Sequence, residues 1–139
     1  NNYTIYTKAE TYSYTGGYRF KPVKNGKIVK LGGYFTGTRV VKVWDASTKQ
    51  LLASATVTGQ NGQWVYSDIT PLSVTAGTTY TIGVYMDAAG SSYAGYISSI
   101  PESGDIEITS AMRGSGDGIP TGFISGWMYG MVDIMFEPN

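Results

Sequence analysis

The side chains in this chain best suited to meeting a ligand are aromatic. Sugar rings present C–H faces that stack on flat rings, while planar polar groups satisfy their hydroxyls. Trp44, Trp64 and Trp127 supply rings, as do Tyr93, Tyr96 and Tyr129. Asn61, Gln63 and Asp117 supply polar groups. Trp127 follows a glycine-rich stretch and is the best candidate for an exposed platform. Trp64 stands beside Val65 on a strand, and Trp44 lies in mid-strand, so both are expected in the core.

Acid chemistry is the other possibility. Two paired carboxylates can hydrolyse a glycoside, and the chain carries ten acids. Asp45, Asp68, Asp87, Asp105, Asp117 and Asp133 fall mostly at strand ends and turns, where aspartate serves local hydrogen bonding. No motif marks two of them as a pair. Histidine and cysteine are both absent. That excludes histidine-dependent triads, thiolate nucleophiles, the usual zinc sites and disulfides. A non-catalytic protein without a cofactor is expected. A structural calcium at Asp87 or Asp117 is the one weak alternative, because no spaced ligand run is present. Asn2-Tyr3-Thr4 fits the acceptor pattern for N-linked sugar and marks Asn2 as a glycosylation candidate.

The formal net charge is zero, from 10 basic and 10 acidic residues. Such a chain has no general attraction to nucleic acid or anionic membrane. No apolar run approaches the ~20 residues of a membrane helix. Tyrosine, glycine and threonine are abundant, and the chain starts at Asn1 rather than Met. Both features point to a processed product or an excised module, extracellular or on a cell surface.

The elements that must hold these residues are strands. Leu51, Ala53, Ala55 and Val57 alternate with Leu52, Ser54, Thr56 and Thr58. After Gln60-Asn61-Gly62-Gln63, Val65, Ser67 and Ile69 share a face. Tyr80, Ile82, Val84 and Met86 share another. A period of two marks strands with one dry face, and Asn-Gly between two of them predicts a hairpin. Gly16-Gly17 is expected to break the first strand region. Gly32-Gly33 predicts a bulge or a close backbone approach. Gly77, three residues before Tyr80, predicts a tyrosine corner, in which the phenol bonds back to upstream backbone. Met128, Val132, Ile134 and Phe136 share a face in the last strand. No segment shows sustained helical periodicity. The fold class is therefore all-β, a single antiparallel β-sandwich, jelly-roll-like.

Several pieces of the chain, taken together, resemble the domain-of-unknown-function family 4082. They are Gly17-Tyr18-Arg19-Phe20, Val43-Trp44-Asp45-Ala46-Ser47, Leu52-Ala53-Ser54-Ala55-Thr56, Thr75-Ala76-Gly77-Thr78-Thr79-Tyr80 and Val132-Asp133-Ile134-Met135-Phe136. The resemblance runs from about Tyr12 to Phe136. It departs from the family pattern at Trp127-Met128-Tyr129-Gly130. It implies an extracellular β-sandwich found beside carbohydrate-active enzymes and surface proteins, with no catalytic residues to transfer.

On this reading residues 12–139 form the sandwich domain. Residues 1–11 form an extended N-terminal strand outside the resemblance, which docks on a sheet edge of its own domain or of a neighbour. The expected function is a non-catalytic structural subunit that self-associates into a homopolymer, with Tyr3, Ile5 and Tyr6 as anchors on a neighbouring copy. The alternative is a carbohydrate-binding accessory module of a secreted enzyme or adhesin. There the partner is a polysaccharide, and Trp127, Tyr129, Tyr93 and Tyr96 line the site.

Overall fold

The computed structural model describes residues 5–9, 14–35, 37–60, 63–86, 93–97, 104–124 and 132–139, the segments 5–9 and 93–97 by their backbone pairing. Eleven strands lie in these residues. They are β1 (Ile5–Ala9), β2 (Tyr14–Pro22), β3 (Gly26–Gly33), β4 (Gly37–Asp45), β5 (Leu51–Gly59), β6 (Val65–Val74), β7 (Tyr80–Met86), β8 (Tyr93–Ile97), β9 (Ile106–Ser115), β10 (Gly122–Ile124) and β11 (Val132–Pro138). Residues with high strand propensity alternate with polar ones along most of them, which gives each strand a wet and a dry face.

The pairing is nested. β4 pairs with β5, β3 with β6, β2 with β7 and β1 with β8, each antiparallel. Nesting of this kind is a long hairpin rolled up on itself, the logic of a jelly roll. The rungs alternate between layers. One sheet has the order β10-β9-β2-β7-β4-β5, the other β11-β3-β6, and β1-β8 is a two-stranded sheet. The two larger sheets face each other across one core, a β-sandwich.

The chain passes between layers at its turns. β5 belongs to the six-stranded sheet and β6 to the three-stranded one. The predicted hairpin at 60–63 is therefore a crossing between sheets, closed by a single bridge between Gln60 and Gln63. Both strands present apolar residues to the same interior, so burial favours the crossing over continued pairing.

Tyr18, Phe20, Val41, Val43, Val57, Ile82 and Val84 come from one sheet. Ile28, Leu31, Val74, Val132 and Ile134 come from the other, and all are buried in one cluster. Each fully buried aliphatic or aromatic side chain contributes about 1.5–3 kcal/mol, and entropy offsets most of the sum. Tyr80 stacks on Phe20 at 5.6 Å. Its hydroxyl accepts the Thr75 N–H at 2.9 Å. Gly77 at the turn has φ +80, a conformation that favours glycine.

Gly16-Gly17 does not break β2. The strand runs straight through, with Gly17 opposite Gly83 of β7. A Cβ on Gly17 would come within 1.9 Å of the Ile82 carbonyl oxygen. Glycine here permits close backbone approach in the middle of a sheet, and turn formation plays no part.

Candidate functional site

The three-stranded sheet carries the site on its outward face. Leu31, Val132 and Ile134 point into the core, so their neighbours at odd offsets point away. Register places Tyr66 of β6, Gly32 of β3 and Asp133 of β11 in one row across the sheet. The central residue of that row has no side chain. The Tyr66 ring lies in the vacant space, so close that a Cβ on Gly32 would meet its Cδ2 at 2.3 Å. The phenol thereby spans the middle strand and donates a hydrogen bond to Asp133 Oδ2 at 2.6 Å.

Two more rings extend this row. Trp64, just before β6, stacks on Tyr66 with centroids 6.3 Å apart and planes at 22°. Tyr34, just after β3, meets Trp64 edge-on at 5.6 Å and 62°. Tyr34, Trp64 and Tyr66 are all half-buried. The inner parts of Tyr34 and Trp64 touch the core cluster, which fixes their rings without covering them. Rings fixed in place lose little entropy when a ligand stacks on them.

The next row along the same face pairs Lys30 with Asp68 at 2.9 Å, beside exposed Met135. Beyond it Lys27 stands opposite Glu137. Asp133 has a phenol as its partner instead of a cation. Burial pushes the Asp133 carboxyl above its ordinary value, and the hydrogen bonds from Tyr66 and the Ile134 backbone oppose the shift. Tyr18, fully inside the core, is held well above the ordinary tyrosine value, first by burial and then by the nearby Asp133 and Tyr66.

The structure treats the sequence candidates unevenly. Trp64, expected in the core, is a ring of the outward strip. Period two already implied this, because a face holding Val65, Ser67 and Ile69 puts Trp64 and Tyr66 on the other side. Tyr34 and Gly32 carried no such signal, since their role depends on the register between β3 and β6. Trp44 is buried, at 6% exposure, but it faces away from the sandwich core. It alternates with Val43 and lies against Gly83, whose Cβ would meet Trp44 Cζ3 at 3.4 Å. Tyr93 and Tyr96 lie on β8, opposite Ala9 and Tyr6 of β1, and Ile5 pairs with Ile97. The edge that Ile5 and Tyr6 occupy is thus the chain's own β8. Asn2, Tyr3, Asn61, Asp87, Trp127, Met128 and Tyr129 lie outside the described residues.

The described aspartates are engaged separately. Asp45 Oδ1 accepts the N–H groups of Ser47 and Thr48 at 2.8 and 3.0 Å. Asp105 pairs with Lys24 at 3.4 Å, and Asp117 with Lys42 at 3.1 Å. A lysine at that distance opposes calcium binding at Asp117. Among the described residues no three acids gather where a metal ion could sit. Thr15 ties the loop carrying Asp117 down, donating to the Gly116 carbonyl at 2.6 Å and accepting the Gly118 N–H at 3.4 Å.

Fold and surface together define a β-sandwich module that displays a line of aromatic rings on one sheet. The chain belongs to the family described as Domain of unknown function (DUF4082), whose model matches residues 3–121. The match begins earlier than the resemblance read from the motifs, so β1 belongs to the matched domain. It ends before β10 and β11, which leaves Val132 to Phe136 beyond it. Tyr34, Trp64 and Tyr66 lie inside the match, and Asp133 outside. No curated protein matches this chain.

Proposed function

We propose that this domain is a non-catalytic carbohydrate-binding module of an extracellular or cell-surface protein. The observation that carries the reading is the outward strip Tyr34-Trp64-Tyr66, ending at the Asp133 carboxyl. Ring faces offer stacking surface for pyranose C–H groups, and the other carboxyl oxygen and the phenol oxygen at the end accept from hydroxyls. The separate engagement of Asp45, Asp68, Asp105 and Asp117 supports a binding role over hydrolysis, which needs two carboxyls aimed at one bond. Retention of the purified domain on insoluble polysaccharides tests this. Trp64→Ala and Tyr34→Ala are expected to lower retention at least tenfold while the domain stays folded. Unchanged retention in both variants overturns the site.

A second reading has its own observation. β1-β8 is a two-stranded sheet apart from the two sheets of the sandwich, and isolated two-stranded sheets are marginal. Exchange of β1 between copies would then link subunits into a homopolymer without any new contact type. Light scattering and negative-stain microscopy of the native protein test it: filaments support assembly, and a monomer removes it.

A further inference from the structure

We infer that the aromatic strip selects glycans bearing a positively charged amino group, with Asp133 receiving the amine. The inference rests on the carbohydrate reading and names the substrate class for the same site. It starts from the charge pattern of one face. Lys30 is neutralised by Asp68, and Lys27 stands opposite Glu137. Among the described residues of that face, Asp133 is the acid with a phenol as its partner.

A carboxylate beside ring faces is the combination that recognises an ammonium group. The rings attract a cation through their quadrupole, and the carboxylate adds a charge-assisted hydrogen bond. An acidic sugar meets the reverse. Its carboxylate or sulfate would approach the like charge of Asp133, and Lys30 in the next row is already engaged by Asp68. Neutral sugars sit between, held by stacking and by hydroxyl hydrogen bonds without a charge pair. The Tyr66 bond fixes the carboxyl at the end of the strip, so an amine reaches it only when the sugar ring lies along the rings. That coupling of position and charge gives selectivity beyond general attraction of cations.

The test compares three probes in mildly acidic buffer: soluble oligomers of glucosamine, of N-acetylglucosamine and of galacturonic acid. The variants are Asp133→Asn, which keeps an oxygen to accept the Tyr66 hydroxyl, and Trp64→Ala. The expected result is tightest binding to the glucosamine oligomer, weaker binding to the acetylated one and none to the acidic one. Asp133→Asn is expected to reduce the preference for the amine by about tenfold, the factor that about 1.4 kcal/mol makes, and to weaken binding of the acetylated oligomer by much less. Equal affinity for amine and acetylated oligomers, unaltered in Asp133→Asn, overturns the inference and leaves the carbohydrate reading standing. Loss of both the amine and the acetylated probes in Trp64→Ala alone, with Asp133→Asn indistinguishable from wild type, also removes Asp133 from the site. Binding of none of the probes by the native domain overturns the inference, and failure to be retained on any polysaccharide overturns the parent reading with it.

Discussion

Gly32→Ala isolates the feature that builds the site. The added Cβ would sit 2.3 Å from Tyr66 Cδ2 and 2.6 Å from Cε2. Ordinary contact starts near 3.4 Å, so the ring must retreat by roughly 1 Å. The hydroxyl now lies 2.6 Å from Asp133, and a retreat of that size takes it past useful hydrogen-bond length. The half-buried carboxyl then loses its phenol donor. A hydrogen bond to a charged group is worth about 1.5–3 kcal/mol, and partial exposure places this one at the low end. For a chain of this length, about 1 kcal/mol corresponds to roughly 3 °C in Tm. Gly32→Ala is therefore expected to lower Tm by about 3–6 °C. Tyr66→Phe should cost a similar amount, and the double variant little more than either, because both remove the same bond. Thermal unfolding of the three variants measures this. Additive losses in the double variant would refute the argument, since the alanine would then act by some route other than the Tyr66–Asp133 hydrogen bond.

Four further outcomes follow from the same geometry. Gly17→Ala places a Cβ 1.9 Å from a backbone oxygen in the middle of the sheet. It is expected to leave the chain insoluble, while Gly104→Ala, with nothing within 4 Å, should change stability by less than about 0.5 kcal/mol; soluble, folded Gly17→Ala protein would contradict the register. Tyr80→Phe frees the Thr75 N–H and should cost about 1 kcal/mol by urea unfolding; no change would mean that water replaces the phenol fully. The folded state holds the Asp133 proton more tightly than the unfolded chain does, because its carboxyl is raised from 3.8. Stability from this group is present below 3.8 and falls as pH rises through the raised value. Unfolding curves of Asp133→Asn should show a shallower decline over that window, and parallel curves would exclude the effect. Deleting residues 1–11 removes the partner of β8 and exposes an unpaired edge, so the truncated protein should aggregate more readily than the full chain; a well-behaved, fully stable product would show that β1 contributes nothing to its own domain.

Much of the fold was legible because strand formation is a local matter. Tyr80, Ile82, Val84 and Met86 occur every second residue, and all four are buried. Gly77 and Tyr80 sit at the spacing that a backbone-bonded phenol needs. Other signals were ambiguous at close range. Gly16-Gly17 and Gly32-Gly33 look alike in sequence, yet the first faces another glycine in a central strand and the second admits a tyrosine ring. Asn-Gly at 61–62 suggests a tight turn, but whether the following strand stays in the sheet or crosses depends on which interior its apolar face can reach.

The sequence by itself determined the class of fold, the turns and the face on which each residue of a strand lies, because alternation and turn chemistry are set by neighbours along the chain. Only the tertiary structure decided the site. Tyr34, Trp64, Tyr66 and Asp133 come from, or directly flank, three strands that are distant in sequence, and they meet because β3 holds β6 on one edge and β11 on the other, in a register that puts a glycine between the phenol and the carboxyl. Register between distant strands is fixed by the packing of the whole core, and no local pattern encodes it.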